Sequence, residues 1–137
     1  MEIEGLPAIG PLRVPLHPDF PGRGERVLPV SEKVHVPRED FEKFVGKEVR
    51  LKDFCNVVLD RRAKFLSMEN RDIPKIQWVA HGVNGHVMMP DGSESRGFAE
   101  PAVAALKVDD IVQFERFGFS RIDRVTKSEI HAYFAHR

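Results

Sequence analysis

The sequence predicts an all-β protein with one short helix, and three observations carry that prediction. Ten prolines and ten glycines are spread along 137 residues and cut the apolar positions into segments only a few residues long. Such punctuation fits a barrel or sandwich of short strands and is at odds with a helical bundle. Between the breakers the pattern alternates: across residues 31–36, Val34 and Val36 fall on one face, Lys33 and His35 on the other. Only the stretch from Pro37 to Gly46 carries the marks of a regular helix.

Taken in order, the first thirty residues are richest in breakers, with Pro7, Pro11, Pro15, Pro18, Pro21 and Pro29. Proline cannot donate to a strand ladder, so extended edge segments are expected at 12–16 and 26–30, parted by a loop at HPDFPGRG. The helix follows from Pro37 at its start, Glu39 and Asp40 in its first turn, and Phe41 and Phe44 three apart. In the next strand Val49 and Leu51 point inward, which puts Arg50 and Lys52 on the opposite face. Further strands are expected near 56–60, 64–68, 75–79, 85–89, 111–115, 119–124 and 130–136. Tight connections are expected at Glu69-Asn70-Arg71-Asp72, at 81–85 and at Pro90-Asp91-Gly92-Ser93. A single helical turn fits 103–106.

Composition narrows the function classes. Apolar residues at 42% and charged residues at 31% argue against global disorder. No apolar run reaches the roughly 20 residues of a membrane span, and MEIEGLPAIG lacks the regions of a signal peptide, so a cytoplasmic location is expected. The 21 basic and 21 acidic side chains cancel, which counts against a nucleic-acid binder coated in positive charge. A binder that reads a few bases at local arginines stays open. Cys55 is the single cysteine, which excludes an internal disulfide and a multi-cysteine zinc site; a buried structural role is expected for it. The histidines His17, His35, His81, His86, His131 and His136 show no ligand spacing such as His-x-x-x-His, so no metal is expected. Trp78 is expected in the core.

The chemistry-bearing residues concentrate between Gly97 and Asp123, GFAEPAVAALKVDDIVQFERFGFSRID. Reading splayed RNA bases needs hydrogen-bonding groups for base edges, planes for stacking and a rigid backbone. The run Gln113-Phe114-Glu115-Arg116 supplies an amide with donor and acceptor, a carboxylate acceptor and a planar fork around one aromatic. On spacing alone, a hairpin with a solvated polar face and Arg116 paired to a nearby acid explains the same run. The basic side chains Arg61, Arg62 and Lys64 fit RNA phosphates and a solvated hairpin end equally well.

These motifs are similar to one family in several places and in the right order. Residues 2–5 (EIEG), HPDFPGRGERVLPV, PRED at 37–40, GKEVRLKD at 46–53, Ile76-Gln77-Trp78-Val79 and the segment from GFAEP to RID resemble the C-terminal anticodon-binding domain of archaeal and eukaryotic-type glutamyl-tRNA synthetases. Glutaminyl-tRNA synthetases share that domain. The resemblance implies two small, closely packed β-barrels within a single domain, residues 1–137. The proximal barrel would be built from both chain ends and the distal one from roughly 30–100.

It further implies that Gln113 reads the central uridine of the anticodon, that Arg116 pairs with a neighbouring base or phosphate, and that Glu115 orients it. By the same resemblance Arg50 contacts the first anticodon base and Lys47 meets a phosphate. Glu42 stands where glutaminyl enzymes carry a basic reader of a third-base guanine. A carboxylate suits cytosine's amine instead, so tRNA(Glu) is the expected partner, with tRNA(Gln) left open; Glu42 as a plain solvated helix residue explains the position too. The chain has no His-Ile-Gly-His and no Lys-Met-Ser-Lys-Ser motif, so no catalytic site and no cofactor are expected in it. A parent enzyme would use ATP and Mg²⁺ in its catalytic domain. A stand-alone RNA-binding or scaffold barrel is the alternative.

Overall fold

A computed structural model describes residues 1–137 and resolves them into two compact units, Met1–His81 and Gly82–Arg137. The chain is mostly β, with twelve strands and one α-helix. The sequence reading drew one lobe from both chain ends and another from 30–100. In the structure the division falls after His81, and the two ends lie in different units.

The first unit contains β1 (Glu2–Glu4), β2 (Leu12–Pro15), β3 (Glu25–Leu28), α1 (Arg38–Phe44), β4 (Glu48–Leu51), β5 (Asn56–Val58), β6 (Arg62–Ser67) and β7 (Lys75–Ile76). Strands β4, β5 and β6 form an antiparallel meander, to which β1 adds in parallel along β6 and β7 in parallel along β4. The proline-rich start makes a separate β2–β3 hairpin, with Pro15 at the end of its strand, where a missing N–H is tolerated. The core is the inward set Ile3, Val49, Leu51, Phe54, Val57, Leu59, Ala63, Ile76 and Trp78. Each fully buried aliphatic or aromatic side chain in it contributes about 1.5–3 kcal/mol. Trp78 packs on Phe54 with ring centroids 4.7 Å apart and donates its indole N–H to the Lys52 carbonyl at 2.8 Å.

Helix α1 begins directly after Pro37 and carries Glu39 and Asp40 in its first turn, where carboxylates complement the exposed N–H groups. It ends because Gly46 takes φ 79°, a left-handed conformation that costs glycine little. The strand expected over 31–36 is reduced to two isolated bridges, Glu2 with Lys33 and His35 with Val79. Val34 is nevertheless buried and Lys33 and His35 exposed, as the alternation requires.

The second unit contains β8 (Val83–Met88), β9 (Glu94–Ala99), a 3-10 turn (Pro101–Ala105), β10 (Ile111–Phe114), β11 (Gly118–Val125) and β12 (Glu129–His136). Its single sheet runs β10-β11-β12-β8-β9. All joints are antiparallel except the one where β12 lies parallel to β8. Val83, Val87, Val103, Ile122, Ile130 and Ala132 are buried, with Phe114, Phe117 and Phe134 packed against them. In β12, Ile130, Ala132 and Phe134 turn inward while Glu129, His131 and Tyr133 turn out.

Two expectations need correcting. Both five-stranded sheets are open, with different strands at their two edges, so neither is a closed barrel. Closure needs the edge strands to share a ladder, and the first unit supplies only the bridges made by residues 33–35. Strand β9, ESRGFA, was not expected: it is polar and glycine-containing, and it forms because β8 offers it a full antiparallel register. Gly97, Phe98 and Ala99 end that strand, ahead of the 3-10 turn that Pro101 opens.

Gly118 opens β11 at φ 145°, and a Cβ there would lie 2.6 Å from the Phe134 ring and 2.8 Å from the His136 carbonyl. Gly118→Ala is expected to destabilise the second unit by about 2–3 kcal/mol through backbone strain and overpacking. Amide hydrogen exchange across β10, β11 and β12 would measure it, as faster exchange confined to those strands.

Candidate nucleic-acid interface

The hairpin between β10 and β11 presents the polar run. Gln113 is exposed on β10 with Phe119 as its register partner on β11, and Phe114 turns half-buried to the opposite face. Glu115, Arg116 and Phe117 form the turn, Arg116 in the left-handed region at φ 64°. Phe117 meets Phe134 edge-on at 5.9 Å and its N–H donates to the Phe114 carbonyl at 2.9 Å. That aromatic anchor lets the turn hold a fixed shape while Glu115 and Arg116 remain exposed.

Beside Gln113 the same face is aromatic and cationic. Phe119 pairs with His136 on β12, ring centroids 4.7 Å apart. In the next row Ile111, Arg121 and Tyr133 follow one another across three strands. The Arg121 guanidinium lies 5.7 Å from the Tyr133 ring centroid and donates to Asp109 at 2.8 Å. An exposed amide beside aromatic planes is the equipment for hydrogen-bonding and stacking an unpaired base.

The remaining candidates lie in the first unit and differ in character. Glu42, on α1, and Lys47, at the corner leading to β4, are exposed. Arg50 is not on an open face: it is 8% exposed, between Val49 and Leu51 at 0%. Its Nη1 donates to Asn56 Oδ1 at 3.1 Å and to the carbonyls of Glu69 at 2.9 Å and Met68 at 3.3 Å. Fully buried Asn56 adds bonds from Nδ2 to Ser67 Oγ at 2.8 Å and to the Glu69 carbonyl at 2.7 Å. The chain after β6 thus closes over the face that alternation assigned to Arg50, and that nitrogen is occupied within the protein. Cys55, beside this network, is fully buried, and burial pushes its thiol up to about 12.

The hairpin thus brings Gln113, Glu115 and Arg116 together, while Glu42 and Lys47 sit on the surface of the other unit. One grouping escaped the sequence reading. His86 and His131 are direct partners across β8 and β12, with Glu94 and Glu129 around them. Both histidines occupy outward-facing parities of their strands, but only the parallel joint makes them neighbours.

The chain is mostly β, and the hairpin of its second sheet presents residue types that reading an unpaired base requires. The family model for the anticodon-binding domain of class I tRNA synthetases (E and Q) matches residues 1–76, and a second model of the same description matches 75–123. The chain belongs to this anticodon-binding family. It is 43% identical over 136 residues to a glutamate–tRNA ligase of Methanosarcina barkeri, covering 91% of this chain and 24% of the relative. With the glutamate–tRNA ligases of Thermococcus onnurineus and Pyrococcus horikoshii the identities are 40% and 39%, across 100% of this chain and 27% and 26% of the relatives. The chain therefore spans about a quarter of the length of the curated relatives it matches.

Two outcomes follow from the buried network. Arg50→Met is expected to cost the first unit about 1–3 kcal/mol, because it leaves the buried Asn56 Oδ1 without its donor and unties the chain after β6. Urea unfolding followed by Trp78 fluorescence would measure that loss. Cys55 is expected to resist a thiol reagent in the native chain and to react fully once urea unfolds it, a contrast that absorbance of the released thiolate reports.

Proposed function

We propose that this chain is the anticodon-reading part of a glutamate–tRNA ligase, and that it recognises the anticodon loop of tRNA(Glu). The observation that carries the reading is the exposed Gln113 amide beside the Phe119 and His136 planes, on a hairpin anchored by Phe117. Gln113 reads a base edge through paired donor and acceptor, Arg116 serves a neighbouring base or phosphate, and Glu115 orients it. Lys47 and Glu42 stand free at the surface of the first unit to serve a phosphate and a cytosine amine. Arg50 contributes chiefly by holding the chain after β6, since its Nη1 is taken by internal acceptors. Aminoacylation, with its ATP and Mg²⁺, belongs to a catalytic domain of the parent enzyme, which acts in the cytoplasm. The archaeal relatives of that name, aligned across this whole chain, support the assignment.

The test is binding of anticodon stem-loops of tRNA(Glu) and tRNA(Gln), and of a tRNA(Glu) loop with its central uridine replaced, to the full chain at low and moderate salt. Gln113→Ala is expected to weaken the preferred loop by about 1–3 kcal/mol, or roughly 5- to 150-fold, and to flatten discrimination at the central base. Equal binding by wild type and variant would overturn the role of Gln113. Equal binding to loops of unrelated sequence would favour a general RNA-binding or scaffold module.

A further inference from the structure

We propose that His86, His131 and Glu129 form a site for one divalent transition-metal ion with the ligand preferences of zinc. The site lies within the second unit, on the outward face of its sheet. The parallel joint makes His86 and His131 direct partners, and their rings stack at 4.5 Å with only 5° between planes. Glu129 precedes His131 by two residues on the same face, and its carboxylate spans both rings. One oxygen lies 3.8 Å from His86 Nε2 and the other 3.2 Å from His131 Nε2. One donor atom from each of the three residues lies within 4.8 Å of the others. Donors about 2.1 Å from a tetrahedral ion stand about 3.4 Å apart, and because no point lies in both planes of a parallel stack, one imidazole must turn out of the stack for both Nε2 lone pairs to meet the ion.

The surroundings match the chemistry of a metal-bound histidine. Glu94 Oε1 lies 3.1 Å from His86 Nδ1, and Arg96 Nε donates to the other Glu94 oxygen at 2.7 Å. A carboxylate accepting from Nδ1 fixes the tautomer that leaves the Nε2 lone pair for an ion. The side chains of His86 and His131 are 18% and 24% exposed, ordered by their neighbours yet open on one side. One group opposes the ion. Arg124 Nη2 sits 2.9 Å from His131 Nε2 and must swing aside, which its exposed position allows. Two imidazoles and one carboxylate leave a fourth position for water. An ion there clips β12 to β8 at the one parallel joint of the sheet.

The experiment uses the untagged full chain after chelator treatment, titrated with Co²⁺ and then Zn²⁺ at a pH about one unit above the histidine range. The expected result is one Co²⁺ per chain with visible d–d absorption, displaced by Zn²⁺, and a higher melting temperature for the second unit. His86→Ala and His131→Ala are each expected to weaken binding at least tenfold, with exposed His81→Ala unchanged. Affinity should fall as the pH drops through the range where imidazoles protonate. In the wild type, Co²⁺ should broaden the ring-proton NMR signals of His86 and His131 before those of the other histidines, a readout that needs no variant to fold. Broadening spread evenly over all six histidines, or affinity unchanged in both single variants, would overturn the site.

Discussion

A guanidinium leaves water only where other acceptors wait for it, and Arg50 meets that condition in the first unit. Its Nη1 reaches the side chain of Asn56 and the carbonyls of Met68 and Glu69, so β4, β5 and the chain leaving β6 are tied at one point. A strand slipped by one residue would exchange its faces, placing Arg50 in the apolar cluster and Val49 against those carbonyls. The penalty for such a slip is an unpaired buried charge, far larger than the loss of one apolar contact. Register in this meander is therefore set by polar matching as well as by the Val49, Val57 and Phe65 row, and the surface positions of Glu42 and Lys47 follow from it.

The second unit answers to a different constraint. Its two hairpin systems, β8–β9 and β10–β11–β12, are local in sequence and join only where β12 runs beside β8. That joint extends two of the outward rows into β8 and β9. Gln113, Phe119 and His136 make one row, Ile111, Arg121, Tyr133, Met88 and Glu94 the next, and Arg124, His131, His86 and Arg96 a third. Bulges between Phe119 and Ser120 and between Ile122 and Arg124 twist β11 against β12, as bulges do. Each adds one residue to a strand, so the outward rows continue at Arg124 on β11 and at His136 on β12.

Much of this was legible from periodicity. Val34, Val49, Leu51, Ile122 and Ile130 lie inside, as two-residue alternation requires, and α1 stands between Pro37 and Gly46. The polar run at Gln113 was legible as a hairpin because its single aromatic, Phe114, breaks the polarity in the right parity. Alternation misjudged Arg50, since it knows only two faces and cannot see that distant chain covers the second. Strand β9 was hidden because a polar edge strand with Gly97 and no apolar stripe is recognised by its partner, not by its composition. The pairing of residues 86 and 131 was illegible for a related reason. Parallel joints link segments far apart in sequence, and no local pattern announces them.

The outward face makes the two proposed activities mechanically related. Strand β12 carries His136 at one end, beside the Gln113 row, and His131 toward the other, beside His86. A base stacked on Phe119 and His136 relies on β12 staying in register, because His136 is paired on one side only, with Phe119 of β11. Pairing between β12 and β8 covers residues 129–133 and stops short of His136. An ion held by His86, Glu129 and His131 grips the half of β12 flanked on both sides and limits the fraying open to the half that β11 alone pairs. Such pre-organisation lowers the ordering cost of binding without adding a contact to the RNA. Its signature is a slower off-rate in the presence of the ion at an unchanged on-rate, since the ion alters how long the platform holds and not how the loop arrives.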